Sequence, residues 1–298
     1  MPFLLAAQEP PEALDQARRS YELSQRGDLQ RAIDAIREAV RLAPVNGLYV
    51  SALGRLLLRT GKSAEATEAL GKARELLLEG NPVALENTSL DLGALLARQG
   101  QNRAGATMAR DTARRFPKSA RAQQMLGLFE TRLQQNVAAA EAYSRALAID
   151  PDCADCAAGL GIAQTRAGMT REAGDTFRTA LAKFPADAVL HQAHGVLLLQ
   201  LARDRSEPLT AASAEFEKAL TLDPELPEPQ FQLGQIALES GNATAALDRF
   251  AAAARSGQND ARLHWAIARA YRRLGRESEA AQHMRAFERL SAEETRIH

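Results

Sequence analysis

The sequence repeats itself with a period of 34 residues. Pro117, Pro151 and Pro185 are spaced by this interval. A series of glycines keeps the same step, and its clearest members are Gly93, Gly127, Gly161 and Gly195. A fixed period of about 20–50 residues indicates structural repeats that stack on one another. No such unit buries its apolar face alone, so the chain is predicted to fold by stacking.

One period holds small, aromatic and helix-breaking residues at fixed places. Between residues 155 and 187 these are Leu160-Gly161, Gly168, Ala173, Phe177, Ala180 and Pro185. The preceding period repeats the pattern with Leu126-Gly127, Ala139, Tyr143, Ala146 and Pro151. This pattern resembles the tetratricopeptide repeat, in which Leu-Gly, Ala-x3-Phe and Pro recur in that order. The resemblance covers about residues 13–294. It implies an all-α, right-handed superhelical solenoid of about eight stacked helix-turn-helix units.

The repeat divides the chain into predicted segments. Residues 1–12 form an N-terminal segment and 295–298 a C-terminal tail. The predicted units are 13–46, 47–85, 86–119, 120–153, 154–187, 188–226, 227–260 and 261–294. The second and sixth units are longer, with extra residues around 78–82 and 203–208. Because these insertions are charged or rich in turn residues, we expect them in helix-helix loops or at extended helix ends.

The physical roles of the repeated residues can be stated for each place. Glycines in mid-unit are expected at turns that require a positive φ: Gly61, Gly100, Gly168 and Gly241. In the fourth unit Gln134 takes this place. The Leu-Gly pairs are expected to allow close approach of a neighbouring helix. Four aromatic residues are predicted to fill the gap between units: Tyr143, Phe177, Phe216 and Phe250. The prolines are expected to end the second helix, since proline lacks the backbone N–H.

Composition and charge narrow the functional class. With 298 residues, 46% of them hydrophobic, the chain has enough apolar material for an ordered core. Its formal net charge of zero argues against general nucleic-acid binding, which requires a basic surface. No apolar run reaches the roughly 18–20 residues that a membrane span needs. The apolar residues 3–7 leave the compartment open: cytoplasmic as the sequence stands, or exported if they are the end of a signal peptide.

Cysteine and histidine pairs are the candidates for special chemistry. Cys153 and Cys156 follow Pro151 in the pattern Cys-Ala-Asp-Cys, at an expected turn between repeats. We interpret them as free thiols, with a local disulfide or a zinc site shared with His191 as alternatives. His191 and His194 could face the same side of a helix, but apolar core residues hold the place of His194 in other units. We therefore predict histidines that are partly buried in the stack.

Sequence motifs for catalysis are not found. The chain has no His-Glu-x-x-His, no glycine-rich phosphate loop and no nucleophile elbow. We predict that it is not an enzyme, has no catalytic or metal-binding residues and uses no cofactor.

The family resemblance implies that the first helix of each unit lines a concave groove. The side chains predicted to contact a partner there are Leu90, Ala94, Arg98, Leu128, Arg132, Ala158, Ile162, Arg166, Val196, Leu199, Phe231, Trp265 and Arg269. Their composition favours a protein or peptide with apolar and acidic side chains, because arginine forms charge-assisted hydrogen bonds with carboxylates. The expected function is a non-catalytic scaffold or adaptor. The alternatives are self-assembly through the terminal repeats and a regulatory subunit for an enzyme encoded elsewhere.

Overall fold

The computed structural model describes residues 9–297, with side chains to residue 293. It divides into two compact units, Met1–Pro151 and Asp152–His298. Every regular element in the described residues is an α-helix, which confirms the all-α prediction. The predicted repeat boundaries are not tested by the division into two units and stay predictions.

The first compact unit consists of four antiparallel helix pairs. Their helices are α1 (Pro11–Gln25) with α2 (Leu29–Leu42), α3 (Gly47–Arg59) with α4 (Ser63–Leu77), α5 (Pro82–Arg98) with α6 (Asn102–Arg115), and α7 (Ala120–Arg132) with α8 (Asn136–Ile149). The second helix of one pair packs on the first helix of the next, as α2 does on α3, α4 on α5 and α6 on α7, and α5 also contacts α7 directly. The insertion at 78–82 lies at the α4–α5 connection.

The second compact unit repeats the same arrangement. Its helices are α9 (Ala154–Arg166) with α10 (Thr170–Lys183), α11 (Ala188–Arg205) with α12 (Thr210–Leu222), α13 (Pro227–Glu239) with α14 (Ala243–Arg255), and α15 (Ala261–Arg273) with α16 (Glu277–Ile297). The insertion at 203–208 lengthens the end of α11, which then stops at Ser206 in the left-handed conformation. Helix α16 includes most of the predicted tail 295–298.

The turn inside each helix pair explains the glycine spacing. Gly61, Gly100, Gly168 and Gly241 have φ values of +76°, +70°, +74° and +84°, as predicted for this place. Only glycine enters this region without a steric cost from Cβ. Gln134 takes the same conformation with φ of +59° in the turn between α7 and α8. The fourth pair therefore keeps the turn geometry with a residue that is less suited to it.

Proline and polar caps set the helix ends. Pro117, Pro151 and Pro185 each stand two residues after the last residue of a second helix. Proline is common there because it cannot continue a helix. At the starts, Ser119 and Asp187 accept hydrogen bonds from the backbone N–H groups of Ala122 and Leu190. These contacts satisfy donors that the first helical turn leaves without partners.

The aromatic residues pack against the glycines of their own helix pairs as well as against the next pair. A Cβ added to Gly161 would lie 2.5 Å from the Phe177 ring, and one added to Gly234 would lie 2.5 Å from the Phe250 ring. Each ring thus fills the space above the glycine of its own helix pair. The same relation joins Gly127 to Tyr143 and Gly195 to Phe216. The absence of a side chain on the first helix is what lets the ring reach the backbone. Phe177 and Phe250 also contact the next pair, as predicted: the Phe177 ring centroid lies 5.6 Å from that of His194, and Phe250 packs in one cluster with Leu263.

The structure describes only part of the predicted N-terminal segment. Of the predicted N-terminal segment 1–12, residues 1–8 lie outside the described residues. Glu9 accepts a hydrogen bond of 2.9 Å from the side chain of Asn46. In the part of the chain that the structure describes, none of the helices combines the length and apolar character needed to traverse a bilayer.

Candidate functional site

The candidate surface of each compact unit is its first-helix face, the side formed by the first helix of every pair. In the first unit these helices are α1, α3, α5 and α7, and in the second they are α9, α11, α13 and α15. Neighbouring first helices touch, as shown by α3 with α5, α5 with α7, and α9 with α11. Side chains from successive pairs are therefore adjacent on this face.

In the first unit only some of the predicted contact residues are accessible. Leu128 is 36% exposed, and Ala94 and Arg98 are also exposed. Leu90 is buried with 8% exposure, so the prediction that it contacts a partner is wrong. Its side chain packs with the apolar core of this unit. Alignment of the repeats identifies a column of residues, meaning those at the same position in successive units. The rotation of each helix about its axis decides which column faces solvent.

A cavity between α3 and α5 is the clearest concave feature of this face. It has a volume of about 240 Å³. Its lining residues are Leu48, Ser51, Ala52, Arg55, Asn81, Val83, Ala84 and Asn87. Leu48 is 47% and Val83 67% exposed, whereas Ser51 is buried and shares a 2.8 Å hydrogen bond with Thr88. The cavity therefore has apolar side chains at its rim and a hydrogen-bonded base.

Leu48 and Val83 were not among the residues predicted from sequence. Leu48 precedes Arg55 by seven residues, which is close to two helical turns. Arg55 lies in the same column of the repeat as Ala94 and Leu128. Extending the search two turns towards the helix start would have identified Leu48.

The predicted arginines divide into two kinds. Arg132 donates a hydrogen bond to the backbone oxygen of Ala97, near the end of α5. Arg273 makes the equivalent contact with the backbone oxygen of Leu238 in the second unit. Arg98 has no hydrogen-bonding or ionic partner among the described residues. Arg132 thus has a structural contact that limits its role towards a partner, whereas Arg98 is available.

In the second unit three more of the predicted contact residues are buried. Ala158 is 5% exposed, and Leu199 and Phe231 are each 3% exposed, so all three are buried. Leu199 packs in a cluster with Phe216. These side chains stabilise the stack and are closed to a partner. Ile162 and Val196 are half-buried, and Arg166 is exposed.

An aromatic and two arginines distinguish the far end of the second unit. Trp265 is 40% exposed, and the guanidinium of Arg269 lies 4.5 Å from its ring centroid. The guanidinium of Arg262 lies at the same distance from the buried Phe231 ring and also pairs with Glu228 at 2.8 Å. Stacking of this kind contributes about 0.5–1 kcal/mol at exposed sites. Trp265, which is exposed, and Arg269, which is half-buried, therefore form a stacked pair one helical turn apart on α15.

The cysteine prediction is wrong in its preferred form. Cys153 and Cys156 are joined by a disulfide bond, so they are not free thiols. Cys153 stands at the start of α9, where its sulfur accepts a hydrogen bond from the backbone N–H of Cys156 at 3.2 Å. Cys156 is fully buried. The bond closes the first turn of α9.

Both histidines of α11 are in the stack, as predicted. His191 is 2% exposed, with its Nδ1 2.6 Å from Glu215 Oε2 and its Nε2 3.0 Å from the Pro185 carbonyl oxygen. His194 is half-buried, and burial lowers the pKa of its imidazole. In residues 9–293 no group of three or more His, Cys, Asp or Glu side chains is placed to hold a metal ion.

Comparison with known families decides the classification. A model described as Tetratricopeptide repeat matches residues 18–76, 90–154 and 231–294, and a second model of the same description matches 132–197. Together these matches cover more than half of the chain. The chain belongs to the tetratricopeptide repeat family. Members of this family generally serve as scaffolds for protein–protein interaction. The comparison with curated proteins yields no match.

Solved structures of other tetratricopeptide repeat proteins show the same fold. A tetratricopeptide repeat protein from Parabacteroides merdae is 20% identical, with a TM-score of 0.69, over 88% of this chain and 99% of that one. PilF of Pseudomonas aeruginosa is 20% identical, with a TM-score of 0.56, over 69% and 91%. MamA of Desulfovibrio magneticus is 21% identical, with a TM-score of 0.52, over 58% and 96%. At these identities the likeness concerns the fold alone.

Proposed function

We propose that this tetratricopeptide repeat protein is a non-catalytic scaffold that holds a segment of a partner protein on its first-helix faces. The accessible members of the predicted groove support this assignment. They are Ala94, Arg98, Leu128, Ile162, Arg166, Val196, Trp265 and Arg269. Their small, apolar and cationic side chains suit a segment that carries apolar and acidic residues.

The observation that carries the proposal is the cavity between α3 and α5. Its volume of about 240 Å³ and its apolar rim of Leu48 and Val83 suit one apolar side chain of a partner. Transfer of apolar surface from water contributes roughly 25 cal/mol per Å². Arg55 at the same cavity is already paired with Asp91 at 2.6 Å, so it can orient a partner without an unpaired charge being buried.

Trp265 is the corresponding anchor in the second unit. Tryptophan and arginine are enriched among the residues that dominate binding energy at interfaces. The Arg269 guanidinium stacked on Trp265 keeps its in-plane N–H groups free to donate to a carboxylate. In the first unit the exposed, unpaired Arg98 can serve the same carboxylate chemistry.

The test uses single substitutions to arginine at exposed apolar sites. Leu48→Arg and Leu128→Arg are expected to abolish capture of a partner from a cell extract, because they introduce charge where apolar side chains should be buried. Val137→Arg is the matched control: Val137 is 58% exposed but lies on α8, a second helix of the same unit. Circular dichroism verifies that all three variants stay helical. Equal capture by all three variants would refute the proposal.

Self-assembly is the rival function. The apolar residues 3–5 and the face of the last helix pair are the two places where another copy could dock, and residues 3–5 lie outside the described residues. Sedimentation velocity at two concentrations separates the alternatives, since assembly through a terminal repeat raises the sedimentation coefficient with concentration. A regulatory role towards a separate enzyme would use the same first-helix faces, and the captured partner would identify it.

A further inference from the structure

The third helix pair carries a local excess of positive charge that the neutral total conceals. Residues 101–121 contain six basic side chains and one acidic side chain, whereas the whole chain has a formal charge of zero. Helix α6 contributes most of them. It is a second helix, so this charge lies away from the surface assigned to the scaffold function.

Asp111 is the centre of the excess. Arg114 Nη2 lies 2.7 Å from Asp111 Oδ1, and Arg115 Nε lies 3.1 Å from Asp111 Oδ2. Arg74 of α4 forms a third ion pair with the same carboxylate. Burial acts to raise the pKa of Asp111, but the hydrogen bonds from the two arginines of α6 leave it below its ordinary value. One carboxylate thus faces three guanidinium groups, and two positive charges remain uncompensated.

A fourth arginine at this place has its own partner. Arg110 donates to both oxygens of Glu130 of α7, over 2.7 Å and 2.9 Å. Glu130 is 4% exposed, so this ion pair is part of the packing between α6 and α7. The pair neither adds to nor reduces the surplus around Asp111.

The surplus borders a groove between α4 and α6. Its volume is about 920 Å³, and its lining residues are Arg74, Ala104, Thr107, Met108, Arg110, Asp111 and Arg114. Met108 is 8% exposed and forms an apolar floor, while the Arg114 side chain is 79% exposed. A charged rim over an apolar floor suits a peptide, whose side chains supply both acidic and apolar groups.

We propose that this groove binds an acidic segment of a partner protein, at a site separate from the first-helix face. Charge complementarity selects the occupant, since arginine forms its strongest hydrogen bonds with carboxylates. Among the seven described lining residues there is no aromatic ring, and single-stranded nucleic acids are held largely by stacking on such rings. An acidic peptide therefore fits the lining better than an oligonucleotide.

The test measures anisotropy of a fluorescein-labelled peptide of alternating glutamate and alanine, twelve residues long, in low salt with the full chain. Arg114→Glu is expected to weaken binding by about tenfold or more. The change removes an arginine that would pair with a carboxylate of the peptide, and the new glutamate repels the acidic peptide. Thr107→Trp is expected to weaken it as well, because it fills the groove without changing the charge. Circular dichroism verifies that both variants stay helical.

The matched control is Arg121→Glu, which makes the same charge change in the same basic stretch but lies on α7 outside the groove. We expect it to retain most of the affinity. A loss equal to that of Arg114→Glu, with no effect of Thr107→Trp, would show non-specific attraction and overturn the proposal. Tighter binding of a single-stranded oligonucleotide of equal charge would overturn the choice of ligand. Both readouts are independent of the first-helix variants, so this site and the scaffold function can fail separately.

Discussion

Two glycines of one helix pair should respond in opposite ways to the same substitution. Gly161 lies on α9 against the Phe177 ring, whereas Gly174 lies inside α10 with no atom within 4 Å of the place where a Cβ would stand. Alanine is favoured over glycine in a helix interior by about 1 kcal/mol. Gly174→Ala is therefore expected to raise the free energy of unfolding by roughly 0.5–1 kcal/mol.

At Gly161 the steric cost exceeds this gain. A Cβ would lie 2.5 Å, 2.6 Å and 2.9 Å from three carbons of the Phe177 ring, all shorter than van der Waals contact. Phe177 is fully buried, and its ring centroid is 5.6 Å from that of His194, so it has little room to move. Overpacking of a core typically costs about 1–3 kcal/mol. After the helix gain of about 1 kcal/mol is subtracted, Gly161→Ala should lower the free energy of unfolding by up to about 2 kcal/mol.

The assay is urea denaturation followed by circular dichroism for the wild type and both variants. Phe177→Leu combined with Gly161→Ala completes a double-mutant cycle, and the smaller side chain is expected to recover part of the loss. If Gly161→Ala stabilises the protein as Gly174→Ala does, glycine at this place does not serve the close approach of the ring. An additive cycle would refute the argument in the same way.

Three further predictions concern a turn, a titrating pair and a buried charge. Gln134→Gly should raise the free energy of unfolding by about 0.5–1 kcal/mol in the same assay, because glycine adopts the left-handed conformation of this turn without the steric cost of a Cβ. A loss of stability would contradict this. Nδ1 of His264 and Nδ1 of His283 are 2.9 Å apart, and burial lowers the pKa of both imidazoles. The unfolded chain then binds more protons than the folded one below about pH 6.5. The stability of the wild type relative to His283→Phe should therefore fall as the pH is lowered from 7.5 to 5.5, and a constant difference between their urea midpoints would refute this. Arg110→Ala should cost about 2 kcal/mol, because it leaves Glu130 buried without its partner, and Arg110→Ala with Glu130→Gln should recover at least part of the loss; an unchanged midpoint for Arg110→Ala would contradict it.

The sequence predicted what depends on spacing and missed what depends on helix rotation. The turn glycines and terminating prolines followed from the period, because each place requires a backbone property that few residues have. The period did not predict which side chains are exposed, because the rotation of a helix about its axis is set by packing with its neighbours. Leu90 and Phe231 therefore point into the stack, while Leu128 and Trp265 remain accessible.

Local pairing was the other feature hidden in the sequence. The disulfide between Cys153 and Cys156 depends on the two sulfurs meeting across the first turn of α9. The excess of positive charge around Asp111 could not be predicted, because the sequence does not show which arginines pair with its carboxylate. A running count of charge along the sequence would have indicated the basic stretch 101–121, but not the groove beside it.

The contacts of Arg132 and Arg273 make the two ends of each compact unit different. Each arginine reaches back to a carbonyl near the end of the preceding first helix, in one case Ala97 and in the other Leu238. A shortened protein that stops before residue 120 would lose the donor that covers α5, although every residue of α5 itself is kept. Shortening from the opposite terminus removes an acceptor and leaves a long, exposed side chain that water can solvate. Truncation from the C-terminal side should therefore fray the new last helix pair more than truncation from the N-terminal side frays the new first one.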